Sequence, residues 1–139
     1  MNDIKFRGFW QTVKGEWQSA IGNLSIVDNK EHSGYFISNK YGSPFAFQVI
    51  PSTVGQYVGL KDKNGVEIFK GDIVEGYFKT KLKNFPIKGV VDFDEGMFGL
   101  HNEYDDENYS LNRLVIEVIG NNVENKELLK WIQKKLNNN

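Results

Sequence analysis

Cysteine is absent from this chain, which excludes disulfides, thiol nucleophiles and thiolate zinc centres and agrees with a reducing cytoplasm. Proline is scarce, with three in 139 residues, so few positions are barred from a β ladder. Histidine occurs only as His32 and His101, which leaves little imidazole for metal ligation or general base chemistry. Neither sign of charge is in excess: the formal net charge is -1, which gives no global attraction to nucleic acid or an acidic membrane. No apolar run approaches the roughly 18 residues of a membrane-spanning helix, and the N-terminus lacks a signal-peptide core. A soluble, cytoplasmic protein with no membrane association is expected.

Aromatic residues are plentiful. They make up 14% of the chain, as ten Phe, six Tyr and three Trp, within a hydrophobic fraction of 40%. Aromatic side chains fit pleated, curved sheets. A chain of this length buries roughly two-thirds of its unfolded surface, so it needs no metal or crosslink to be stable.

The organising stretch is Gln56-Tyr57-Val58-Gly59-Leu60-Lys61-Asp62-Lys63-Asn64-Gly65-Val66-Glu67-Ile68-Phe69-Lys70-Gly71-Asp72-Ile73-Val74. Asn64-Gly65 is the strongest turn signal in the chain, of the kind favoured in two-residue type I′ turns where both central residues need positive φ. Leu60, Val66, Ile68 and Phe69 supply apolar flanks with partial alternation. Lys70-Gly71-Asp72 is a second turn candidate, followed by Ile73-Val74 and Tyr77-Phe78. Two turns and three short strands within about twenty-five residues imply a tightly curved sheet such as a small barrel.

The run from Thr53 through Gly65, followed by Ile68-Phe69-Lys70-Gly71-Asp72-Ile73-Val74, resembles the signature of the YopX family of phage and prophage proteins. Ile4-Lys5-Phe6-Arg7-Gly8-Phe9-Trp10 is similar to that family's start, and Val118-Ile119-Gly120-Asn121 is similar to its end. The sequence carries Lys70 and Val58 where the family usually has an acidic residue and Thr. The resemblance implies an SH3-like β-barrel with an added N-terminal β region, encoded by a bacteriophage or prophage. It implies no activity, catalytic residue or cofactor that maps onto particular positions.

Along the chain, Ile4–Arg7 alternates as a first strand, Lys14-Gly15 marks a hairpin tip, and Glu16–Ile21 returns with Trp17 and Ile21 on one face, Trp17 expected in the core. Asp28–Gly34 reads as a polar, mobile loop. Tyr35–Ile37 and Phe45–Ile50 are strands on either side of the turn Asn39–Pro44, the second with its odd positions inward and ended by Pro51. Ile87–Phe93 and Met97–His101 pair across Asp94-Glu95-Gly96. Leu114–Ile119 is nearly continuous in apolar residues and is expected to be the most buried strand. Asn125 is placed to cap a helix reaching about Leu136, with Leu128, Leu129, Ile132 and Leu136 on one face. Residues 1–51 form an N-terminal β region packed on the barrel, and residues 52–139 the barrel with its C-terminal helix.

Candidate chemistry is sparse. The segment from Asp92 to Glu107 holds seven carboxylates and no Lys or Arg, yet nothing in it matches the alternating ligands of a calcium loop, and a solvated acidic face accounts for it. No hydrolase elbow, phosphate loop or dinucleotide fingerprint is present. An enzyme is not expected, nor a metal or cofactor. Two binding readings stand. In the first, the chain is a homo-oligomeric interaction module for a phage or host protein, with Trp131 beside the apolar stripe of the terminal helix as a contact candidate. In the second, Lys79, Lys81, Lys83 and Lys88, flanked by Tyr77, Phe78 and Phe85, form a basic loop for nucleic acid. The neighbouring acidic segment opposes phosphate and suits subunit pairing instead.

Overall fold

The computed structural model describes residues 3–38, 46–79, 86–102 and 107–130. It divides into two compact units, Met1–Gly59 and Leu60–Asn139. The first unit contains β1 (Phe6–Gln11), β2 (Trp17–Asp28), β3 (Ser33–Ser38), β4 (Ala46–Val49), a 3-10 turn at Pro51–Thr53 and the start of β5 (Gly55–Lys61). These strands lie antiparallel in the order β4-β3-β2-β1-β5. The sheet curls so that β4 returns to β1. Ile50 N–H donates to the Phe9 carbonyl at 2.8 Å, and Trp10 stacks on Phe47 with ring centroids 5.0 Å apart and planes 8° apart. Val49 rests against Gly8, where an added Cβ would meet it at 2.8 Å, so the absence of a side chain lets the curl close.

Ile37 and Val49 are buried on the face enclosed by this curl. Trp17 and Ile21 pair with Gln11 and Arg7 on the opposite face, where Trp17 is half-buried against the edge of Phe9 and Ile21 is exposed. Alternation correctly put the two on one face, which they share with the buried Phe9, but period two cannot tell which positions along that face another element covers. Among the inward-assigned odd positions of β4, Val49 is buried but Phe47 is 43% exposed. The expected mobile loop after Asp28 is a built turn: the Asn29 carboxamide oxygen accepts the backbone N–H groups of Glu31 and His32. Asn39–Phe45 lies outside the described residues.

The second unit carries the end of β5, then β6 (Glu67–Phe69), β7 (Asp72–Phe78), β8 (Ile87–Asp94), β9 (Met97–Asn102), β10 (Asn108–Ser110), a 3-10 turn at Leu111–Arg113, β11 (Leu114–Asn121) and α1 (126–130). Strands β10-β9-β8-β7-β11 form an antiparallel sheet in that order. One face carries the buried Val74, Ile87, Val91, Leu100, Leu114 and Ile116, and the other presents Glu75, Lys88 and Glu117. The chain is therefore mainly β, with two antiparallel sheets, and no ladder joins β10 to β11 among the described residues. β11 is not the most buried strand. Its residues alternate, with Leu114 and Ile116 inside and Val115 and Glu117 half-buried, and a bulge falls between Val118 and Gly120. Its continuous apolar run covers both faces of a strand that is buried on one.

The turn chemistry differs from expectation. Gly65 has φ 83°, but Asn64 keeps negative φ, and the N–H groups of Gly65 and Asp62 donate to the carbonyls of Asp62 and Val66 at 3.0 and 2.7 Å. This is a three-residue hairpin loop with a glycine bulge, not a type I′ turn. Thr12–Glu16 repeats it, with Gly15 at φ 85° and matching bonds of 2.9 Å. The type I′ turn lies instead at Glu95-Gly96, with φ 52° and 81°, where Asp94 pairs directly with Met97. An even register across β8 and β9 demands two loop residues, and the sequence offers only Glu95 to fill the first.

Asn125 sits at the start of α1, its carbonyl accepting the Leu128 N–H at 3.0 Å. Its side chain does not cap α1 but reaches back to accept the Asn121 N–H at 3.1 Å. Asn121 in turn accepts from the N–H groups of Val123 and Glu124. The rest of the expected helix, including Ile132 and Leu136, lies outside the described residues. No described helix is long and apolar enough to cross a membrane.

Candidate functional site

The second unit is organised by one buried carboxylate. Asp62 leads into the hairpin loop, and its Oδ1 accepts the N–H groups of Asn64 and Val66 at 2.8 and 2.9 Å. Its Oδ2 accepts the Val118 N–H of β11 at 2.9 Å. Burial opposes ionisation of Asp62, but the N–H groups of Val118, Val66 and Asn64, with the nearby Lys63 cation, outweigh it and hold the carboxyl below the ordinary Asp value. Two further bonds complete the clamp. Lys63 N–H donates to the Ile116 carbonyl at 3.0 Å, and the Glu117 carboxylate takes the Lys63 ammonium at 3.7 Å and the Asn64 amide at 3.3 Å.

This clamp holds the Leu60–Lys63 segment beside β11 and leaves an open groove of about 240 Å³ between them. Its lining is apolar at Leu60, Ile68, Leu111, Leu114 and Ile116 and polar at Asp62 and Asn112. Its rim carries Lys61, Lys63 and Lys79. Lys79 is fixed there because its N–H donates to the Arg113 carbonyl at 2.9 Å. Among the described residues neither Lys61 nor Lys79 has an acidic partner, whereas Lys63 shares Glu117. The arrangement can seat an apolar side chain and draw negative charge to its edge.

Of the residues anticipated for binding, Tyr77, Phe78, Lys79 and Lys88 are among those described, and these four do not share one face. Lys79 lies on the groove rim. Lys88 lies on the outer face of the sheet, directly opposite Glu75, so its charge faces an opposite charge across the ladder. Tyr77 is on that outer face too, 49% exposed and paired with Val115. Phe78 is turned the other way, edge-on to Tyr109 at 5.3 Å and beneath the Arg113 guanidinium. Lys81, Lys83, Phe85 and Trp131 lie outside the described residues. Lys61 and Lys63 were missed because they flank the turn in sequence, far from Lys79, and only the clamp on β11 brings them beside it. The sequence signal for Asp62 is its place three residues before the hairpin glycine Gly65, where an Asp can accept the N–H two residues on as an Asx turn.

The other candidates have structural partners. Asp92 forms an ion pair with Lys70 at 3.9 Å, and Asp94 accepts the Glu95 N–H at 2.9 Å. No group of three or more acidic or histidine side chains among the described residues could hold a metal ion. His32 lies in the Asn29 turn and His101 pairs with Asn108 on the outer face. Glu103, Asp105 and Asp106 lie outside the described residues. Asp72, almost completely buried, accepts the Phe69 N–H at 2.8 Å and so braces the turn between β6 and β7.

The model of the YopX protein family matches residues 5–130. The chain is similar to protein EF1440 from Enterococcus faecalis, known from a crystal structure, with 29% sequence identity and a TM-score of 0.50. The likeness covers 93% of this chain and 99% of that one. Among curated proteins none matches.

Proposed function

The chain belongs to the YopX family, and from that premise we propose that it is a phage- or prophage-encoded cytoplasmic protein-interaction module that works as a homo-oligomer and performs no catalysis of its own. The observation that carries this reading is the groove of the second unit, with its mainly apolar lining and its rim of Lys61, Lys63 and Lys79. At about 240 Å³ it falls below the roughly 300–1,000 Å³ of a small-molecule site. It suits one large side chain of a protein partner. In this reading the second unit is an SH3-like barrel closed by the Asp62 and Lys63 bonds to β11.

A second reading keeps the lysines and changes the partner. Lys61 and Lys63 beside Lys79 concentrate positive charge at one edge of the unit, which would also favour a nucleic-acid backbone. One experiment separates the two. Tagged protein is captured from lysate of the phage-bearing host, with and without nuclease, alongside a Lys61→Glu/Lys79→Glu variant. A protein partner that survives nuclease and is lost in the variant supports the interaction module. Recovery of nucleic acid, or only of proteins released by nuclease, supports the second reading and removes the first.

A further inference from the structure

Resting on the groove reading above, we propose that the groove receives the β8–β9 hairpin tip of a second copy of this chain, with Phe93 seated in it and the acidic residues of the tip against the lysine rim. The tip has the complementary chemistry. Asp92, Asp94 and Glu95 are all exposed, and between and beside them Phe93 is 53% and Met97 37% exposed. Phe93 projects with Phe98 from one face of the hairpin and Asp92 and Asp94 from the other, so the ring can enter the apolar lining of the groove while the carboxylates at the turn lie toward its lysines. Lys61 and Lys79, which have no acidic partner among the described residues, are opposite in sign to Asp94 and Glu95, while Lys63 and Asp92 are shared with Glu117 and Lys70 of their own copy, and the net charge of -1 leaves little repulsion between whole copies.

The tip is also preformed. A two-residue loop closes it, and the Phe93 and Phe98 rings meet at 5.0 Å and 67°, so docking orders little that is not already ordered. The tip cannot fill its own groove. Ile87 at the start of β8 lies opposite Gly76, which pairs with Ile116 in the groove lining, and Asp94 is seven residues further along β8. At about 3.3 Å per residue that separates tip and groove by roughly 20 Å within one copy. The contact therefore lies between copies, one copy's tip in the other's groove, and is either reciprocated in a two-fold dimer or propagated into a ring or a chain. A tip of this size buries less than the roughly 800 Å² per partner of a standard interface, so association is weak and salt-sensitive.

The test uses two charge-reversed full-length variants, Lys61→Glu/Lys79→Glu in the groove and Asp92→Lys/Glu95→Lys in the tip, followed by sedimentation from micromolar to submillimolar concentration. Near-UV circular dichroism establishes that each is folded. The wild type is expected to associate with rising concentration and less so at high salt, and each variant alone about tenfold more weakly. Mixing the two variants is expected to restore association, because the intact tip of one meets the intact groove of the other and the reversed tip meets the reversed groove with charges again opposite. Phe93→Ala, which changes no charge, is expected to weaken association as well. A wild type that stays monomeric, variants that associate as it does, or a mixture that fails to recover would overturn the proposal. If such failure occurs while the groove variant still loses a captured host or phage protein, the groove reading stands and only its occupant is wrong.

Discussion

The carboxylate of Asp62 and the backbone N–H of Val118, fifty-six residues apart in the chain, meet at 2.9 Å. Through that bond a surface hairpin loop is fastened to β11, and the groove between them takes its width. The remaining oxygen of Asp62 holds the loop itself, so one side chain sets both the local turn and its long-range attachment.

Replacing Asp62 by Ala leaves three N–H groups without their acceptor and is expected to cost about 2–4 kcal/mol in urea unfolding. Asp62→Asn is expected to lose part of this, because an amide NH2 must then face a backbone N–H.

The same residue gives a pH dependence. Its folded carboxyl titrates below its unfolded value of about 3.9, so its contribution is fully present above that pH and is lost as pH falls through the folded value. Stability measured from pH 7 down to pH 2 is expected to fall more steeply below about pH 4 in the wild type than in Asp62→Asn. Parallel curves for the two proteins would show that Asp62 is not held ionised by the clamp.

Gly65→Ala is expected to cost about 1–2 kcal/mol, since an added Cβ meets no neighbour within 4 Å and the whole effect is the positive φ. Gly15→Ala, in the matching loop of the first unit and equally unobstructed, is expected to cost the same. Thermal denaturation of the two variants checks the equivalence, and a neutral result at either site removes the glycine bulge there.

Glu95 is the single non-glycine residue with positive φ among the described residues. Asn tolerates that geometry better, so Glu95→Asn is expected to stabilise the protein by about 0.5–1 kcal/mol. Unfolding at low protein concentration keeps any self-association out of the comparison.

Gly76 and Gly89 respond to space rather than to conformation. A Cβ at Gly76 would overlap the carbonyl oxygen of Val115, and one at Gly89 that of His101, where the coiled sheet brings adjacent strands together. Ala at either position is expected to cost on the order of 4 kcal/mol or to abolish folding, read as yield of soluble protein and urea midpoint. Full stability in either variant would contradict the close approach of β7 to β11 or of β8 to β9.

Much of the architecture was legible from residues near one another in sequence. Alternation at Ile87–Phe93 and Met97–His101, with glycine turns between strands, predicts antiparallel β structure because period two and turn residues are local signals. The family signature around Gly59–Gly71 identifies the relatives for the same reason. Which positions of a face are covered was not legible, as Trp17 and Ile21 beside the buried Phe9 show, since burial depends on what another element brings to that position. The turn type at Asn64 was decided by the Asp62 side chain and the register of the flanking strands rather than by the dipeptide. The groove is wholly a tertiary product. Lys61 and Lys63 are unremarkable surface lysines in sequence and Lys79 stands out only with its own loop, and the three share a rim because a buried carboxylate on the hairpin loop finds its third hydrogen-bond donor on β11.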